Sequence, residues 1–453
     1  MIENLYWGKE LQLGYAKHPP LFSWISYFFY KIFFSCPESL YILTQLNLLL
    51  GFYFIFKISM LIFEDEMKSY AAILIFMASV CAVFGNEKFN ATTILISLFP
   101  AMFFFFVRLL KFNKKKDAFA LGVASALAFI GKYFALLYIG CLGLFLLFHK
   151  KCWRLFKTQT PYIVVATFLV CISWHIYWIY NSHFVTIEYA LSKSTRAPKD
   201  FFSAFNFLLM QLLFFSTSFW AFTHSYCGKM NVLPSGYARY SLEEKFILFI
   251  TIIPNTLLFL ISLISGMRIG SFWGINMFMT LGIYLLIINK NEINPKRLFD
   301  FVKYISIIFA LILSIKLGGA RYFLREYDPT NAINIRGIAS HIDENWRKQF
   351  GNEKMTILKA DKSTAALHIY LRDSPSLYDC KRYDLFHIYD TYPKNADVVV
   401  TLLCAKNDDK IKFFKNLYKK HILFENIINI INGYIVYYAF INVTEKSGKC
   451  KKK

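Results

Sequence analysis

The residue with the most evident chemistry is a lysine inside an apolar stretch. Lys132 is the one charged residue in segment 118–148, and a charged side chain at the centre of a bilayer costs at least about 2.5 kcal/mol. An ammonium group is suited to bind a phosphate. The alternative is a lysine that snorkels to the interface and only marks it. The stretch by itself leaves both interpretations open.

Basic residues cluster on both sides of this stretch. The first cluster is Lys111, Lys114, Lys115 and Lys116, and the second is Lys150, Lys151, Arg154 and Lys157. Because basic loops beside membrane segments tend to stay in the cytoplasm, two cytoplasmic clusters require the chain to enter the membrane and return. The pattern predicts a helical hairpin whose tip, Gly131-Lys132-Tyr133, lies on the outer face near a lipid-linked phosphate.

The composition is typical of a polytopic membrane protein and excludes a soluble globule. Of the 453 residues, 56% are hydrophobic, and long apolar runs recur between residues 21 and 318. The net charge of +22 does not indicate nucleic-acid binding, because the basic residues lie mostly in short loops and in the C-terminal part. The expected partners are membrane lipids, and no nucleic acid is expected.

Apolar runs and charged loops alternate and predict about ten membrane spans. The predicted spans are 40–62, 70–85, 92–110, 118–131, 133–148, 161–180, 203–226, 245–264, 272–288 and 299–318. The run 21–35 contains Lys31 and several aromatic residues, which favours a helix lying in the membrane interface.

The side of each loop follows if loop 111–117 is cytoplasmic. The outer loops are then 1–39, 86–91, 181–202 and 265–271, and the inner loops are 63–69, 149–160, 227–244 and 289–298. This alternation leaves the N-terminus outside without a helix to carry it across the membrane. We therefore expect a first transmembrane helix upstream of Met1, the alternative being a short N-terminus that is translocated unaided.

The character of the chain changes near residue 319, where charges become frequent and no apolar run is long enough to cross a membrane. The segments predicted as strands are 355–360, 397–405 and 433–441, and those predicted as helices are 361–371 and 408–419. We expect a membrane domain over 1–318 and a small extracytoplasmic α/β domain over 319–453, with a disordered lysine-rich tail at 446–453.

The nine cysteines show no paired spacing typical of a metal site. Cys380, Cys404 and Cys450 lie in the polar C-terminal part. Their odd number leaves any disulfide pairing open.

Four of the predicted outer segments concentrate polar and aromatic residues. They are 7–24, 85–91, 131–133 and 268–273. The first contains a Gly14-Tyr15 turn and the sequence Lys17-His18-Pro19-Pro20 before an aromatic helix. Its composition predicts a rigid, positively charged platform at the membrane surface.

These motifs resemble the integral-membrane glycosyltransferases that include the protein mannosyltransferases, the aminoarabinose transferases and the lipid A galacturonosyltransferases. Segment 7–24 is similar to the first outer loop of that family, with its Trp, its Gly-Tyr and its His/Lys-Pro-Pro turn. Segments 89–91 and 130–133 are similar to the second loop and to a Thr/Gly-Lys turn, and 175–178 with 188–191 also resemble family segments. The C-terminal part has no recognisable match.

The resemblance implies a GT-C fold and an enzyme that moves a sugar from a polyprenyl phosphate to an acceptor outside the cytoplasm, without a nucleotide sugar. Such a reaction needs a carboxylate within hydrogen-bond reach of the acceptor hydroxyl and cations that hold the leaving phosphate. The implied phosphate ligands are Lys17, His18, Lys132 and Arg268. The implied sugar or acceptor ligands are Glu87, Asn90 and Tyr133.

The implied catalytic carboxylate departs from the family pattern. Glu3 aligns with the second member of the family's acidic pair, and the first member would fall at Ile2 or before Met1. Glu3 or Glu10 would then have to act as the base. Asn90 stands where the family often has Asp, and asparagine can bind a sugar hydroxyl or a metal but cannot act as a base.

Each candidate also has an ordinary structural explanation. Glu3 and Glu10 are alternatively surface acids, and Arg268 is alternatively an anchor at the membrane interface. Asn90 is alternatively a loop cap. His175, on an apolar helix, is interpreted as a hydrogen-bonded core residue.

We therefore expect a polyprenyl-phosphate-dependent glycosyltransferase of a bacterial inner membrane, with lipid A, another envelope glycan or a protein as acceptor. Some family members use a divalent metal, but no ligand set is recognisable here and no cofactor is assigned. A lipid-linked sugar transporter is a rival, although it would need polar helices near the midplane and paired halves, which the sequence lacks. A truncated, non-catalytic membrane scaffold is a second rival, because of the missing acid.

Overall fold

The computed structural model describes most of the chain. The described residues are 2–79, 88–189, 200–225, 236–270, 273–274, 278–289, 293–327, 335–355, 357–359, 367–373, 376–378, 398–405, 412, 422–429 and 435–442. By its internal contacts the chain divides into two units, residues 3–309 and residues 310–453.

The first unit is a bundle of apolar helices. In chain order its helices are α1 (Ile2–Glu10), α2 (Leu21–Ile32), α3 (Ser39–Phe63), α4 (Glu66–Met77), α5 (Leu95–Phe112), α6 (Lys115–Gly131), α7 (Ala135–Phe148), α8 (Thr160–Asn181), α9 (Phe202–Ser225), α10 (Leu242–Ser265), α11 (Leu281–Ile288) and α12 (Pro295–Tyr327). The 3-10 helices Lys150–Lys157 and Tyr237–Arg239 follow α7 and precede α10. Helix α12 begins in this unit and continues beyond residue 309.

The long helices confirm a polytopic helical membrane protein. Among the described residues, five helices have the length and hydropathy to cross a membrane, namely α3, α5, α8, α9 and α10. A sixth span results if α7 and the 3-10 helix after it, which meet at a bend of 100°, are counted together. The ten predicted spans are thus not all matched by full-length helices. Helices α4, α6, α7 and α11 have 12, 17, 14 and 8 residues.

Helices α5 and α6 run antiparallel. At one end, the Nε of Arg108 on α5 lies 2.6 Å from the Oδ1 of the buried Asp117 on α6. At the other end, Gly131 of α6 packs on Ile94, the residue before α5, so closely that an added Cβ would lie 3.2 Å from the Ile94 Cγ2.

Helix α7 returns beside α5 in the same direction. Near the start of α7, the Tyr138 ring lies 4.2 Å from the Phe99 ring. Near its end, the Phe145 ring lies 6.1 Å from the Phe106 ring. Since α6 opposes α5 and α7 follows it, α6 and α7 form the hairpin that the two basic clusters predicted, with Lys132 at its tip.

The bundle therefore has two distinct ends. We call the end that holds Lys132 the tip end, and the end that holds both basic clusters the lysine end. Helix α10 begins at the lysine end, where the Phe249 ring lies 5.4 Å from the Phe145 ring, and it finishes at the tip end. There the backbone N–H of Asp200, just before α9, donates to the Gly266 carbonyl over 3.0 Å.

Helix α8 runs parallel to α6, so it also finishes at the tip end. An added Cβ on Gly122 of α6 would lie 2.7 Å from the Thr167 Cβ of α8. Nearer the tip end, the Phe129 ring lies 6.1 Å from the His175 ring. The loops predicted to share the outer side thus gather at the tip end, and the side of the membrane that this end faces stays a prediction.

A buried polar contact fixes α3 against the start of α5 at the tip end. The Asn47 Nδ2 donates to the Thr93 carbonyl over 2.7 Å, and the Ser97 Oγ donates to the Asn47 Oδ1 over 2.6 Å. Because an unsatisfied amide in an apolar environment costs several kcal/mol, these bonds specify one position for the turn at 91–94.

The second unit contains a mixed five-stranded sheet. Its strands are β1 (Ile357–Lys359), β2 (Ser376–Tyr378), β3 (Val398–Ala405), β4 (Ile422–Asn429) and β5 (Ile435–Asn442), in the order β2-β1-β3-β5-β4. Strand β1 pairs in parallel with β2 and β3, whereas β5 pairs antiparallel with β3 and β4. Helix α13 (Ile335–Phe350) packs on the sheet, with the Trp346 ring 5.2 Å from the Phe440 ring. Helix α14 is the short segment Leu367–Tyr370.

Three strands of this unit were predicted from the sequence and two were missed. Strands β1, β3 and β5 fall on the predicted segments 355–360, 397–405 and 433–441. Strand β4 was missed because Glu425, Asn426 and Asn429 weaken its apolar alternation. The predicted helix 361–371 is described only from Leu367 onward. The predicted helix 408–419 (apart from Lys412), the tail 446–453, Cys380 and Cys450 lie outside the described residues.

Candidate functional site

The hairpin tip holds Lys132 in a defined direction. This residue has extended backbone, with φ −163°, between α6 and α7. Its Nζ donates to the Thr92 Oγ1 over 2.8 Å. The same ammonium lies 4.8 Å from the centre of the Trp273 ring and 5.6 Å from that of Phe134. Because the faces of aromatic rings attract cations, the two rings and the hydroxyl together orient the charge.

Thr92 is presented by a turn that Asn90 closes. The Asn90 Oδ1 accepts from the backbone N–H groups of Thr92, over 2.7 Å, and of Thr93, over 3.2 Å. The Asn90 Nδ2 donates to the Lys88 carbonyl over 3.3 Å. This arrangement is an Asx turn, which favours the loop-cap explanation of Asn90. Sequence reasoning missed Thr92, because one threonine in a turn carries no distinguishing pattern.

Helix α1 carries both candidate carboxylates, and its first turn is anchored to this loop. The Asn4 Nδ2 donates to the Phe89 carbonyl over 2.6 Å, which ties α1 to the turn that holds Asn90. Glu3 precedes Asn4 on α1, and its side chain lies outside the described residues. Glu10 is the last residue of α1 and is half-buried.

A charge interaction links Glu10 to its neighbour on α1. Burial lowers the pKa of Lys9, and the Glu10 carboxylate opposes that effect by favouring the charged lysine. The end of α1 is therefore a partly desolvated place for charged groups.

The first loop is built around the Trp7 ring. This ring stacks on Tyr15, with 5.0 Å between centres and 9° between planes, and the Tyr15 hydroxyl donates to the Trp7 carbonyl. Burial raises the pKa of Tyr15, so its hydroxyl keeps the proton that it donates. The Lys17 Nζ lies 5.8 Å from the centre of the Trp7 ring, and the edge-on His18 ring lies 6.3 Å from it. Two of the four predicted phosphate ligands, Lys17 and His18, therefore lie against one aromatic ring.

The Gly-Tyr pair of the motif has a packing reason. Gly14 crosses α8 so closely that an added Cβ would lie 2.3 Å from the Trp178 ring. The next residue is fixed as well, because the Thr186 Oγ1 donates to the Tyr15 carbonyl over 3.3 Å. A side chain at position 14 would push the first loop away from α8.

His175 joins the hairpin tip to the first loop. Its Nε2 lies 2.9 Å from the Tyr133 hydroxyl, and its Nδ1 lies 2.7 Å from the Leu13 carbonyl. Since a carbonyl only accepts, Nδ1 carries a proton, and in the neutral ring Nε2 accepts from Tyr133. His175 is fully buried and stacks on Trp178 at 5.7 Å. It is a hydrogen-bonded core residue, as interpreted from the sequence, but both of its partners belong to candidate segments.

Arg268 reaches the same end of the bundle from the loop after α10. Its Nε lies 3.5 Å from the Asp200 Oδ2, with the two side chains 56% and 34% exposed. The loop approaches the hairpin through Trp273, whose ring lies 5.7 Å from the Phe134 ring. Arg268 therefore shares the tip end with Lys132, while its own ion pair is with Asp200.

The structure thus brings six of the nine predicted site residues to the loops of the tip end. They are Lys17, His18, Asn90, Lys132, Tyr133 and Arg268. Glu3 and Glu10 lie on α1, and Glu87 lies outside the described residues. Among the residues that are described, no three or more His, Cys, Asp and Glu side chains are placed to hold a metal ion.

Comparisons with known proteins bear on this fold. Residues 17–178 match the sequence model of a family described as dolichyl-phosphate-mannose-protein mannosyltransferase. The structure is similar to crystal structures of ArnT from Cupriavidus metallidurans, one bound to undecaprenyl phosphate and one in the apo state. Both matches have a TM-score of 0.63 and 13% identity, cover 96% of this chain, and cover 92% and 91% of the other chains. Among curated protein sequences there is no match.

The family match falls on the elements that build the candidate site. It contains Lys17, His18, Asn90, Lys132 and His175, whereas the fold match extends over nearly the whole chain. Together they confirm the resemblance predicted from the motifs, to integral-membrane glycosyltransferases with a GT-C fold.

Proposed function

We propose that this chain, an integral-membrane protein of the GT-C glycosyltransferase type, moves a sugar from a polyprenyl-phosphate donor to an acceptor at its tip end. The observation that carries the proposal is the placement of Lys132. Thr92 and Trp273 orient its ammonium at the tip of a membrane hairpin, at the end where the first loop also lies. The similar ArnT structure that is bound to undecaprenyl phosphate supports this class of donor.

Lys132 would act on the leaving group. Transfer breaks the bond between C1 of the sugar and a phosphate oxygen, and it forms a bond between C1 and the acceptor oxygen. The polyprenyl phosphate leaves with one more negative charge, which an oriented ammonium stabilises more in the transition state than in the bound donor. Lys17, His18 and Arg268 are the other proposed phosphate ligands of the tip end.

A carboxylate of α1 would take the proton of the acceptor hydroxyl. Glu3 is the first candidate and Glu10 the second, because Asn4 anchors their helix to the turn that presents Thr92. Glu87 is a proposed sugar or acceptor ligand. We assign Asn90 and Tyr133 to holding the site, since the Asn90 amide closes a turn and the Tyr133 hydroxyl bonds to His175.

The acceptor and the membrane side are finer parts of the proposal. We propose an envelope acceptor, whether lipid A, another glycan or a protein, on the extracytoplasmic face of a bacterial inner membrane. That placement requires the tip end and the C-terminal unit to face outward. It is consistent with the basic clusters, which would then lie in the cytoplasm.

The membrane side can be measured with two exposed positions at opposite ends. Phe34 at the tip end is 97% exposed and Trp153 at the lysine end is 54% exposed. In a background without the nine native cysteines, a membrane-impermeant maleimide should label Phe34→Cys in intact spheroplasts and leave Trp153→Cys unlabelled. The opposite pattern would invert the topology and overturn the extracytoplasmic site.

The transfer reaction is tested by the composition of the envelope. Cells that express the chain should contain a glycolipid or glycoprotein heavier by one sugar residue than the corresponding molecule from cells without it, measured by mass spectrometry. Lys132→Met should abolish the added mass, whereas Lys111→Met, the same change at the lysine end, should preserve it. An envelope of identical composition with and without the chain would overturn the proposed transferase function. The lipid-linked sugar transporter and the non-catalytic scaffold would then be the remaining interpretations.

A further inference from the structure

The lysine end carries a second surface with a chemistry of its own. After α7 the chain bends by 100° into the 3-10 helix Lys150–Lys157. The 3-10 helix is therefore nearly perpendicular to α7 at the lysine end of the bundle. Cys152 and Leu155, three residues apart, are buried and anchor one face of this helix to the bundle.

The opposite face of this helix combines cations with aromatic rings. Lys150, Lys151, Arg154 and Lys157 are exposed. Trp153 is exposed among them, and Phe148, just before the helix, is 74% exposed. The Trp153 Nε1 donates to the Leu147 carbonyl over 2.9 Å, so the ring has a fixed place at the bend.

The loop between α5 and α6 extends this charged surface. The exposed lysines there are Lys111 at the end of α5, Lys114 between the helices, and Lys115 and Lys116 at the start of α6. The two segments are joined, because the Arg154 Nη2 donates to the Leu110 carbonyl over 3.3 Å and the Thr160 Oγ1 donates to the Asn113 Oδ1 over 2.5 Å. We call these four lysines, together with Lys150, Lys151, Arg154 and Lys157, the basic collar.

The collar has a large excess of positive charge. Segments 111–117 and 150–157 contain eight Lys and Arg residues and one acid, Asp117. That acid is buried and pairs with Arg108. Of the collar cations, Lys111 lies 3.3 Å from the Glu64 carboxylate.

We propose that the basic collar is a binding surface for the phosphate headgroups of anionic phospholipids in the adjacent leaflet. The exposed aromatic rings favour a lipid partner over a soluble acidic one, because Trp and Phe beside cations are typical of segments that lie at the headgroup level. Each collar cation near an anionic membrane surface strengthens the interaction by about fivefold. This surface is separate from the proposed donor site, and it would retain its lipid preference if that proposal failed.

The test uses photocrosslinking from two exposed phenylalanines of the full chain. Benzoylphenylalanine replaces Phe148 beside the collar or, as the matched control, Phe34 at the tip end. The protein is placed in nanodiscs of phosphatidylcholine mixed with phosphatidylglycerol, and mass spectrometry counts which lipid is attached. The expected result is enrichment of phosphatidylglycerol over phosphatidylcholine at Phe148 and none at Phe34.

Two charge variants then assign the enrichment to the collar. Lys150→Gln with Lys151→Gln should lower the enrichment of phosphatidylglycerol at position 148 by about fivefold for each lysine removed. Arg154 is kept because its guanidinium donates a hydrogen bond to the Leu110 carbonyl. Lys31→Gln with Lys88→Gln makes the same change in charge at the tip end and should leave that enrichment unaltered. Equal lipid ratios at Phe148 and Phe34, or the same ratio in a well-folded collar variant, would overturn the proposal.

Discussion

The two ends of the helix bundle use the same cationic side chains in different ways. At the tip end, a hydroxyl and two aromatic rings hold Lys132, and a tryptophan ring carries Lys17. At the lysine end, the cations are exposed, and Lys111 meets the carboxylate of Glu64. Orientation by neighbouring groups suits one phosphate of a donor, whereas many exposed charges side by side suit a surface of headgroups.

The largest expected effect is on the rate of sugar transfer, compared between one lysine substitution at each end of the bundle. Lys132→Met should lower the rate of sugar transfer by about 100- to 1,000-fold, as expected when one oriented group that stabilises developing charge is removed. Lys111→Met should change it by less than about threefold, since an exposed ion pair contributes little. Transfer rates in proteoliposomes with equal amounts of folded protein provide the measurement. Similar transfer rates for both variants would contradict the proposed role of Lys132 in stabilising the leaving phosphate.

The next effect concerns stability at the lysine end. Arg108→Met removes the partner of Asp117, whose side chain is 4% exposed, whereas that of Arg108 is 24% exposed. Leaving a buried carboxylate alone should reduce the free energy of unfolding by about 3 kcal/mol, measured as a fall in thermal stability in detergent. The double variant Arg108→Met with Asp117→Asn should recover most of the loss. A single variant as stable as the wild type would show that water reaches Asp117.

A smaller effect is expected from the hydrogen bonds by which His175 connects the hairpin tip to the first loop. His175→Phe removes the hydrogen bonds to Tyr133 and Leu13, each worth about 0.5–1.5 kcal/mol. We expect an approximately tenfold fall in kcat/KM, mainly through a higher KM for the donor. The reason is that the hairpin tip and the first loop, which carry the phosphate ligands, are no longer held together. His175→Gln, which can still donate and accept, should restore part of the lost kcat/KM. A fall in protein stability with kcat/KM unchanged would make His175 structural only.

The smallest effect is expected at Arg268. The exposed pair with Asp200 should contribute less than about 1 kcal/mol to stability, so Asp200→Asn should leave unfolding nearly unaltered. Arg268→Gln should weaken the binding of undecaprenyl phosphate by about threefold to tenfold, because a charge-assisted hydrogen bond is lost. Thermal unfolding in detergent measures the stability of Asp200→Asn. Titration of the purified chain with undecaprenyl phosphate measures the affinity of Arg268→Gln. Equal affinity in Arg268→Gln would remove Arg268 from the site and restrict it to anchoring its loop.

Much of the membrane unit was predictable because its signals are local. Two basic clusters around one apolar stretch predicted the hairpin, and the structure has α6 and α7 antiparallel with Lys132 between them. The spans 40–62, 161–180, 203–226 and 245–264 lie within three residues of the bounds of α3, α8, α9 and α10. Among the described residues, the predicted spans that correspond to α4, α6, α7 and α11 are helices of 8 to 17 residues, because apolar composition does not report where a helix ends.

The contacts that orient the site were not predictable in the same way. Thr92, His175 and Trp273 each meet a candidate residue far away in the chain, and nothing in their own neighbourhood marks them. For Asn90 the sequence left a ligand and a loop cap as alternatives, and the bonds of its amide to Thr92 and Lys88 favour the cap. The candidate carboxylates remain predictions, since Glu87 and the side chain of Glu3 lie outside the described residues.

The amino-acid sequence alone determined a multi-span membrane protein, the position of a charged hairpin tip, and a GT-C resemblance carried by the first loop. These features depend on composition and on residues adjacent in the chain, where hydrophobicity and charge act locally. Only the tertiary structure decided that the Lys132 ammonium points at Thr92 and Trp273 and that His175 ties Tyr133 to Leu13. Such contacts depend on how the helices pack against one another.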